Sequence, residues 1–576
     1  MAQSRKNSTL HPYPAVPLRV IWVGGSEREI GRQHADQLID SLRVGMAPFY
    51  YEFFRRILNP HPVPPWEKWG FQLLSAFVDG FLIKKLVSQI PEGLRQRIQG
   101  VSEASGIPEE AFLTTLILPD LLPMLQAHWV RLKPELGIAV NRPPFMGCSS
   151  FVVKSEQFLH GRNLDFPGVS YWDRYPVIQV TRPQEGYQYI GITSAGVPLA
   201  GISGINECGI SVALHQHYCT ETDWTGQLPF VISEKILREA KGLEQALQIL
   251  KQSRLASSWA FVVADGKARD GFIYEATPKR CGVRWLSDEN NLLVHTNYFQ
   301  SEACRNKDYA TTERMNWDNF WRKTTLERNL RSQLEDLTVF QAVQALSCHW
   351  DGFWNEEKIV NRTVSQVYNI QSYVLDPVGM KAVLAVGDAP IHLGRFQEID
   401  LNGLFLQRQD PAPKAVEAYR FKNEALRKGK QEYILSFVAA FNHDFELALK
   451  GLQESLSHVF TPEAALVAAL VNLKCGGEIR QSQDWVLKGC SEIENKMQTQ
   501  RKSSFPPEYF ELKMYLARTY ELQGHRSQAL SIYRDMLNES SFTDRHLREI
   551  AERAKPYTTK NLRRLIMPYS SYIPFD

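Results

Sequence analysis

Long apolar runs are missing from this chain of 576 residues. Its richest stretch, Leu74–Val87, is broken by Asp79, Lys84 and Lys85, whereas a membrane-spanning helix needs about 20 apolar residues in a row. No membrane span is predicted. A secretory signal is missing too, since MAQSRKNSTLHPYPAVP meets two prolines before any apolar run, and a cytoplasmic location is expected. Charge of one sign is scarce: 66 Lys and Arg face 63 Asp and Glu, a net +3. That balance lacks the concentrated basic surface of phosphate-backbone binding, so nucleic acid is excluded as a partner. Cysteine is sparse and scattered, at 148, 208, 219, 281, 304, 348, 475 and 490. This is neither the paired spacing of a zinc site nor the density of a disulfide scaffold, and free thiols are expected.

What is present is ordinary globular material, 44% hydrophobic, 22% charged and 11% aromatic, long enough for about three domains. Residues 1–147 read as a mainly helical leading region. Within it a strand-like LRVIWVG precedes GSEREIGRQHADQLIDSLRVG, with Ser26 as N-cap and Glu29 three residues on. From 148 to 406 the texture turns to short β-type runs such as SSFVVKS, YPVIQVTR and SWAFVVADG, which predict a many-stranded antiparallel region. Two helical stretches, Phe230–Lys251 and Thr338–Ser347, are expected to cover sheet faces. QRQDPAPK, residues 407–414, reads as a linker. Residues 415–576 read as an all-α, repeat-like domain. In its segment 511–537, Ala517, Tyr520, Gly524, Ala529 and Tyr533 fall where a tetratricopeptide repeat places its packing residues.

Four motifs occur in order: FMGCSSFVV, LHGRNLDF, GINECGISV and VHTNYF. Together with the leading GSEREIGRQHADQL and RIQGVSEASG they resemble the autoproteolytic acyltransferase family of isopenicillin-N acyltransferase, N-terminal-nucleophile hydrolases related to the bile-salt hydrolases. The resemblance covers roughly residues 20–400. It implies an α+β fold, a four-layer αββα sandwich, here followed by the helical domain. It also implies a precursor that cuts itself between Gly147 and Cys148, leaving a 1–147 chain and a catalytic chain that starts at Cys148.

The residue types suit that chemistry. A thiol with a pKa of about 8.5 is mostly protonated at neutral pH and needs a base or a cation beside it. A freed α-amine, with a pKa of about 7.7–8.0, supplies the base from the same residue. Gly147, without a Cβ, lets the thiol approach the preceding carbonyl. By resemblance Asp165 orients the Cys148 amine, Arg162 lies by the thiol, Asn297 binds the tetrahedral intermediate and Arg362 is the second arginine of the site. A hairpin turning near Ser155–Gln157 would bring Arg162 and Asp165 beside Cys148.

One departure stands out: where the family carries an asparagine after GINECGISV, this chain reads ALHQHYC, so Gln216 or His215 stands in, or neither does. His215 and His217 share a strand face without a third ligand, and no metal or cofactor is expected. Trp172, Trp350, Phe353 and Trp354 read as core. The function expected is a self-cleaving cysteine hydrolase or acyltransferase that acts on a small linear non-peptide amide through a Cys148 thioester. The alternative is a weak or inert scaffold whose C-terminal helices bind a protein partner or a second copy of the chain. A Cys–His dyad is disfavoured, because no histidine stands in a recognisable catalytic context.

Overall fold

The computed structural model describes residues 17–45, 48–49, 51, 82–132, 147–166, 168–169, 171–199, 201–308, 313–408, 414–441 and 444–564. Most of the expected linker and the residues just before Gly147 lie outside this set. The strands in chain order are β1 Arg19–Gly25, β2 Gly147–Lys154, β3 Phe158–Asp165, β4 Pro176–Pro183, β5 Tyr189–Ser194, β6 Ser203–Asn206, β7 Ile210–Gln216, β8 Trp259–Asp265, β9 Asp270–Ala276, β10 Cys281–Trp285, β11 Leu292–His295, β12 Trp350–Asp351, β13 Glu356–Glu357, β14 Asn369–Asp376, β15 Lys381–Val386, β16 Arg395–Asp400 and β17 Ala415–Glu417.

Among the described residues these form an eight-stranded sheet, β1-β4-β5-β6-β7-β8-β9-β10, a seven-stranded sheet, β11-β2-β3-β14-β15-β16-β17, and the ribbon β12-β13. Pairing is antiparallel except between β1 and β4. Strand β2 faces β7 and β8 across the sheet interface. Strands β3, β5, β7 and β8 are buried along their whole length, which requires both faces to be covered. One face meets the opposite sheet; the other meets helices. Pro229–Glu239 and Leu243–Gln252 lie on the eight-stranded sheet, and Glu313–Arg331 and Val339–Leu346 on the seven-stranded one. The result is the α+β sandwich of helix, sheet, sheet and helix.

Local sequence explains the framing elements. Ser26 caps the helix Glu27–Leu42 and closes a capping box with Glu29, as its spacing predicts. That helix crosses Glu92–Ser105 at Gly31 and Gly100, where an added Cβ would strike the Arg97 and Arg28 carbonyl oxygens, so the approach demands glycine at both places. The helix Glu313–Arg331 was not among the expected helices; it packs on β11 and β12 and reaches the start of β2 through Arg322. Its aromatic residues Trp317, Phe320 and Trp321 share one side, while the buried residues include Asp318, Asn319, Arg322 and Thr325 beside Met315, Leu326 and Leu330, so no clean apolar stripe marks the buried face for a periodicity reading.

Beyond β17 the chain is helical: Glu424–Phe441, Phe445–His458, Pro462–Lys474, Ile479–Thr499, Pro507–Leu522 and Arg526–Asn538 pack successively, followed by two short helices. The segment 511–537 turns between two of them at Gly524, whose φ of +83° is a left-handed conformation that suits glycine. The helix Pro507–Leu522 is buried over most of its length and touches Glu313–Arg331. The helical region is therefore docked on the sandwich. Trp317, Trp321, Phe353 and Trp354 join the same apolar cluster as the C-terminal helices, so the expected core role of Phe353 and Trp354 is met near that joint.

Candidate active site

Register builds the site. The hairpin of β2 and β3 turns at Ser155–Gln157 and pairs Gly147 with Asp165, Cys148 with Leu164 and Ser150 with Arg162. Paired residues share a face and successive residues alternate, so Cys148, Ser150, Arg162 and Leu164 face the other sheet, whereas Gly147, Ser149, Asn163 and Asp165 face the helices. A Cβ on Gly147 would meet the Asp165 Cβ at 3.2 Å, which leaves little room for any side chain there.

Cys148 is fully buried, and three side chains hold its three polar groups. Its backbone N–H donates to Asn297 Oδ1 at 2.6 Å. Its Sγ lies 3.6 Å from Arg162 Nη2. Its carbonyl accepts from Arg322 Nη1 at 2.9 Å. Asn297 Nδ2 donates to the Gln216 carbonyl at 3.0 Å, so β7 fixes the carboxamide from the far side.

Arg162 is buried with no carboxylate within 4 Å among the described residues; it donates to the carbonyls of Ile202 and Leu214 and to Ser203 Oγ. All of these acceptors are neutral, and Nη2 lies beside the thiol. Burial pushes the Cys148 thiol above its ordinary value, and Arg162 offsets part of that rise. Asp165 accepts from Asn369 Nδ2 at 2.8 Å through Oδ1, while Oδ2 is buried without a hydrogen bond, 3.9 Å from Arg322 Nη1. Burial raises its carboxyl to about 7 against the pull of Arg322.

Arg322 is the residue that sequence reasoning missed. Besides the Cys148 carbonyl it donates to Ser149 Oγ at 3.0 Å, Asn319 Oδ1 at 2.6 Å and Asp318 Oδ2 at 2.7 Å, and Nη2 lies 3.4 Å from Asn297 Oδ1. The i, i+4 spacing of Asp318 and Arg322 was the available signal. The structure takes Arg362 away from the thiol: its guanidinium forks onto Glu508 at 2.7 and 2.8 Å and meets Asp351 at 2.9 Å. The reason is local, because Asn361 and Arg362 both take positive φ, +71° and +52°, and aim the side chain at the C-terminal helices.

The stand-ins for the absent asparagine are also committed elsewhere. Gln216 donates through Nε2 to the Pro119 carbonyl and accepts from Tyr218 Oη, while His215 Nε2 bonds Ser150 Oγ at 2.6 Å. His217 Nε2 meets His295 Nε2 at 2.9 Å, and among the described residues no cluster is arranged to hold a metal.

A narrow apolar pocket lies beside Leu164, the cross-strand neighbour of Cys148. Phe112, Leu116, Phe166, Trp172 and Phe230 line it, so Trp172, buried in the main apolar core as expected, also borders a cavity. Phe112 and Leu116 come from the leading region, and the pocket exists only while that region is docked.

Two packed sheets between helical layers, followed by a helical region, are consistent with an N-terminal-nucleophile-like sandwich joined to a helical domain. Residues 153–337 match the family model described as acyl-coenzyme A:6-aminopenicillanic acid acyl-transferase, so the resemblance carried by the motifs stands over that stretch. The match takes in Arg162, Asp165, Asn297 and Arg322, starts just after Cys148 and ends before Arg362. No curated protein matches the chain. Among the described residues no helix is long and apolar enough to cross a membrane.

Proposed function

We propose that the protein is a self-cleaving cysteine amidohydrolase or acyltransferase whose nucleophile is Cys148, acting on a small linear amide with an apolar acyl group. The carrying observation is that the nitrogen, sulfur and carbonyl of Cys148 are each held by a different buried side chain. In the precursor step the Cys148 sulfur attacks the Gly147 carbonyl carbon, the peptide C–N bond breaks, and the nitrogen takes the thiol proton. That break leaves a free α-amine on Cys148, and water then opens the thioester to free the Gly147 carboxylate and the thiol. Asp165 Oδ2, which has no hydrogen bond and sits opposite Gly147, suits that new amine.

The same groups serve an external amide. The α-amine takes the thiol proton, the thiolate forms the acyl thioester, and the amine returns the proton to the leaving nitrogen. Arg162 favours the thiolate. Asn297 keeps a second Nδ2 hydrogen beyond the one on Gln216, and with backbone N–H groups it faces the developing oxyanion. The acyl group enters the apolar pocket beside Leu164. In this reading residues 1–147 remain bound as the chain that supplies one wall of that pocket, residues 148–406 form the catalytic chain, 407–414 the linker and 415–576 the repeat-like helical domain. A reducing, cytoplasmic compartment accords with eight free cysteines, two of them exposed.

The test is intact mass and N-terminal sequencing of freshly made wild-type protein beside Cys148→Ala. A fragment that begins CSSFVV in wild type and is absent from the variant is the expected result. Wild-type protein that stays uncut, or a variant that is cut at the same bond, removes the mechanism.

A further inference from the structure

The helical domain meets the sandwich through charge. Glu508, in the first turn of the helix Pro507–Leu522, is buried and forks onto Arg362 through both carboxylate oxygens. Arg362 holds a left-handed conformation that a non-glycine residue keeps only when its surroundings over-determine it. Its backbone N–H donates to Asp318 Oδ1 at 2.8 Å. The other oxygen of Asp318 accepts from Arg322 Nε at 2.7 Å, and Arg322 holds the Cys148 carbonyl and approaches Asn297. Each link is a charge-assisted hydrogen bond between buried groups, the strong and directional kind. A second buried pair crosses the same joint from the same helix: Glu511 Oε2 accepts from Arg314 Nη1 at 2.6 Å. No bond of Arg314 described in the structure leads on to Cys148.

We propose that Glu508 is a positioning residue for the nucleophile, acting through Arg362, Asp318 and Arg322, so that the C-terminal helical domain completes the active site instead of standing apart from it. The proposal rests on Cys148 being the reacting thiol. Loss of the Glu508 fork frees the Arg362 turn, tilts Asp318 and lets the Arg322 guanidinium leave the Cys148 carbonyl and Asn297. Misplacement on the scale of 1 Å at a reacting centre costs up to about a hundredfold in rate, and an effect passed through three residues is expected at about tenfold.

The experiment uses the full-length chain and iodoacetamide, following alkylation of Cys148 by peptide mass across pH 6 to 10, with self-cleavage and thermal stability measured alongside. Glu508→Gln is expected to slow Cys148 alkylation at pH 7.5 about tenfold and to move its pH midpoint upward, because Arg322 no longer favours the thiolate. Glu508→Asp is expected to recover most of the rate. Glu511→Gln removes a buried carboxylate from the same helix and is expected to react like wild type. Wild-type reactivity in Glu508→Gln, or equal slowing in Glu508→Gln and Glu511→Gln, overturns the proposal. Should Glu508→Gln not fold, Asp318→Asn leaves the domain joint intact and must give the same slowing. A wild-type chain that never cuts itself defeats the self-processing reading, while the alkylation order still decides this one.

Discussion

Two buried arginines, Arg162 and Arg362, occupy opposite electrostatic situations. Arg162 lies between the sheets and donates only to carbonyl and hydroxyl oxygens and toward a thiol, whereas Arg362 sits at the helical joint between Glu508 and Asp351. A guanidinium paired with two carboxylates is neutralised and acts as a fastener. One surrounded by neutral acceptors keeps its field, and the nearest group able to use it is the Cys148 sulfur. The difference teaches that burial alone does not mark a catalytic arginine; the sign of what surrounds it does.

The sharpest way to break this contrast is to change each arginine to methionine. Arg162→Met is expected to lower self-cleavage and Cys148 alkylation by about a hundredfold or more, the scale of losing one directed charge at a reacting centre. Arg362→Met is expected to lower stability by about 3–5 kcal/mol in denaturant titration, because it strands buried carboxylates. If Arg362→Met proves the more stable of the two and Arg162→Met the more active, the assignment is reversed.

Acidification sharpens the Arg162 side. Burial, helped by Arg162, keeps His160 down at about 3 and His215 well below its ordinary value. Burial likewise holds His34 at about 4 and His295, His349 and His392 far down. These six are neutral when folded and take up protons when unfolded, so their stability is complete above about pH 6.5 and is lost as pH falls below it. Asp120, Asp165 and Glu511, raised to about 7, work the other way and favour the folded state as pH falls from 7 toward 4. Six groups outweigh three. The expected outcome in calorimetry is a net loss of roughly 3 kcal/mol by pH 5, and a melting temperature that rises between pH 7 and 5 contradicts it.

The smallest effect belongs to a pair that resembles neither arginine. Arg427 and Glu424 are bonded in sequence order on an exposed helix surface, with more than half of each side chain in water. Arg427→Ala is expected to leave melting temperature and Cys148 reactivity unchanged within error, since solvent screens such pairs.

Local patterns made much of the framework legible. The Ser26 cap and the β2–β3 hairpin each depend on neighbours within a few residues, and each is found where the sequence places it. The order of the motifs also led to Arg162, Asp165 and Asn297, all of which lie around Cys148. Arg322 was out of reach, because its helix lacks a clean apolar stripe and its hydrogen-bond partners come from three separate stretches of chain. Arg362 misled for the complementary reason: its place after Asn297 in the chain agreed with a second active-site arginine, but two left-handed residues turned it to the other domain.

By itself the sequence determined the β-rich middle, the helical ends and the Gly147–Cys148 bond as the place to look, because alternation, capping and motif order are written in neighbouring residues. Only the tertiary structure decided which arginine faces the thiol, that Asn297 uses its oxygen on the Cys148 N–H, and that Glu508 is tied into the site from 146 residues beyond Arg362. Those outcomes depend on which charges finish beside one another at low dielectric, and sequence spacing does not encode that.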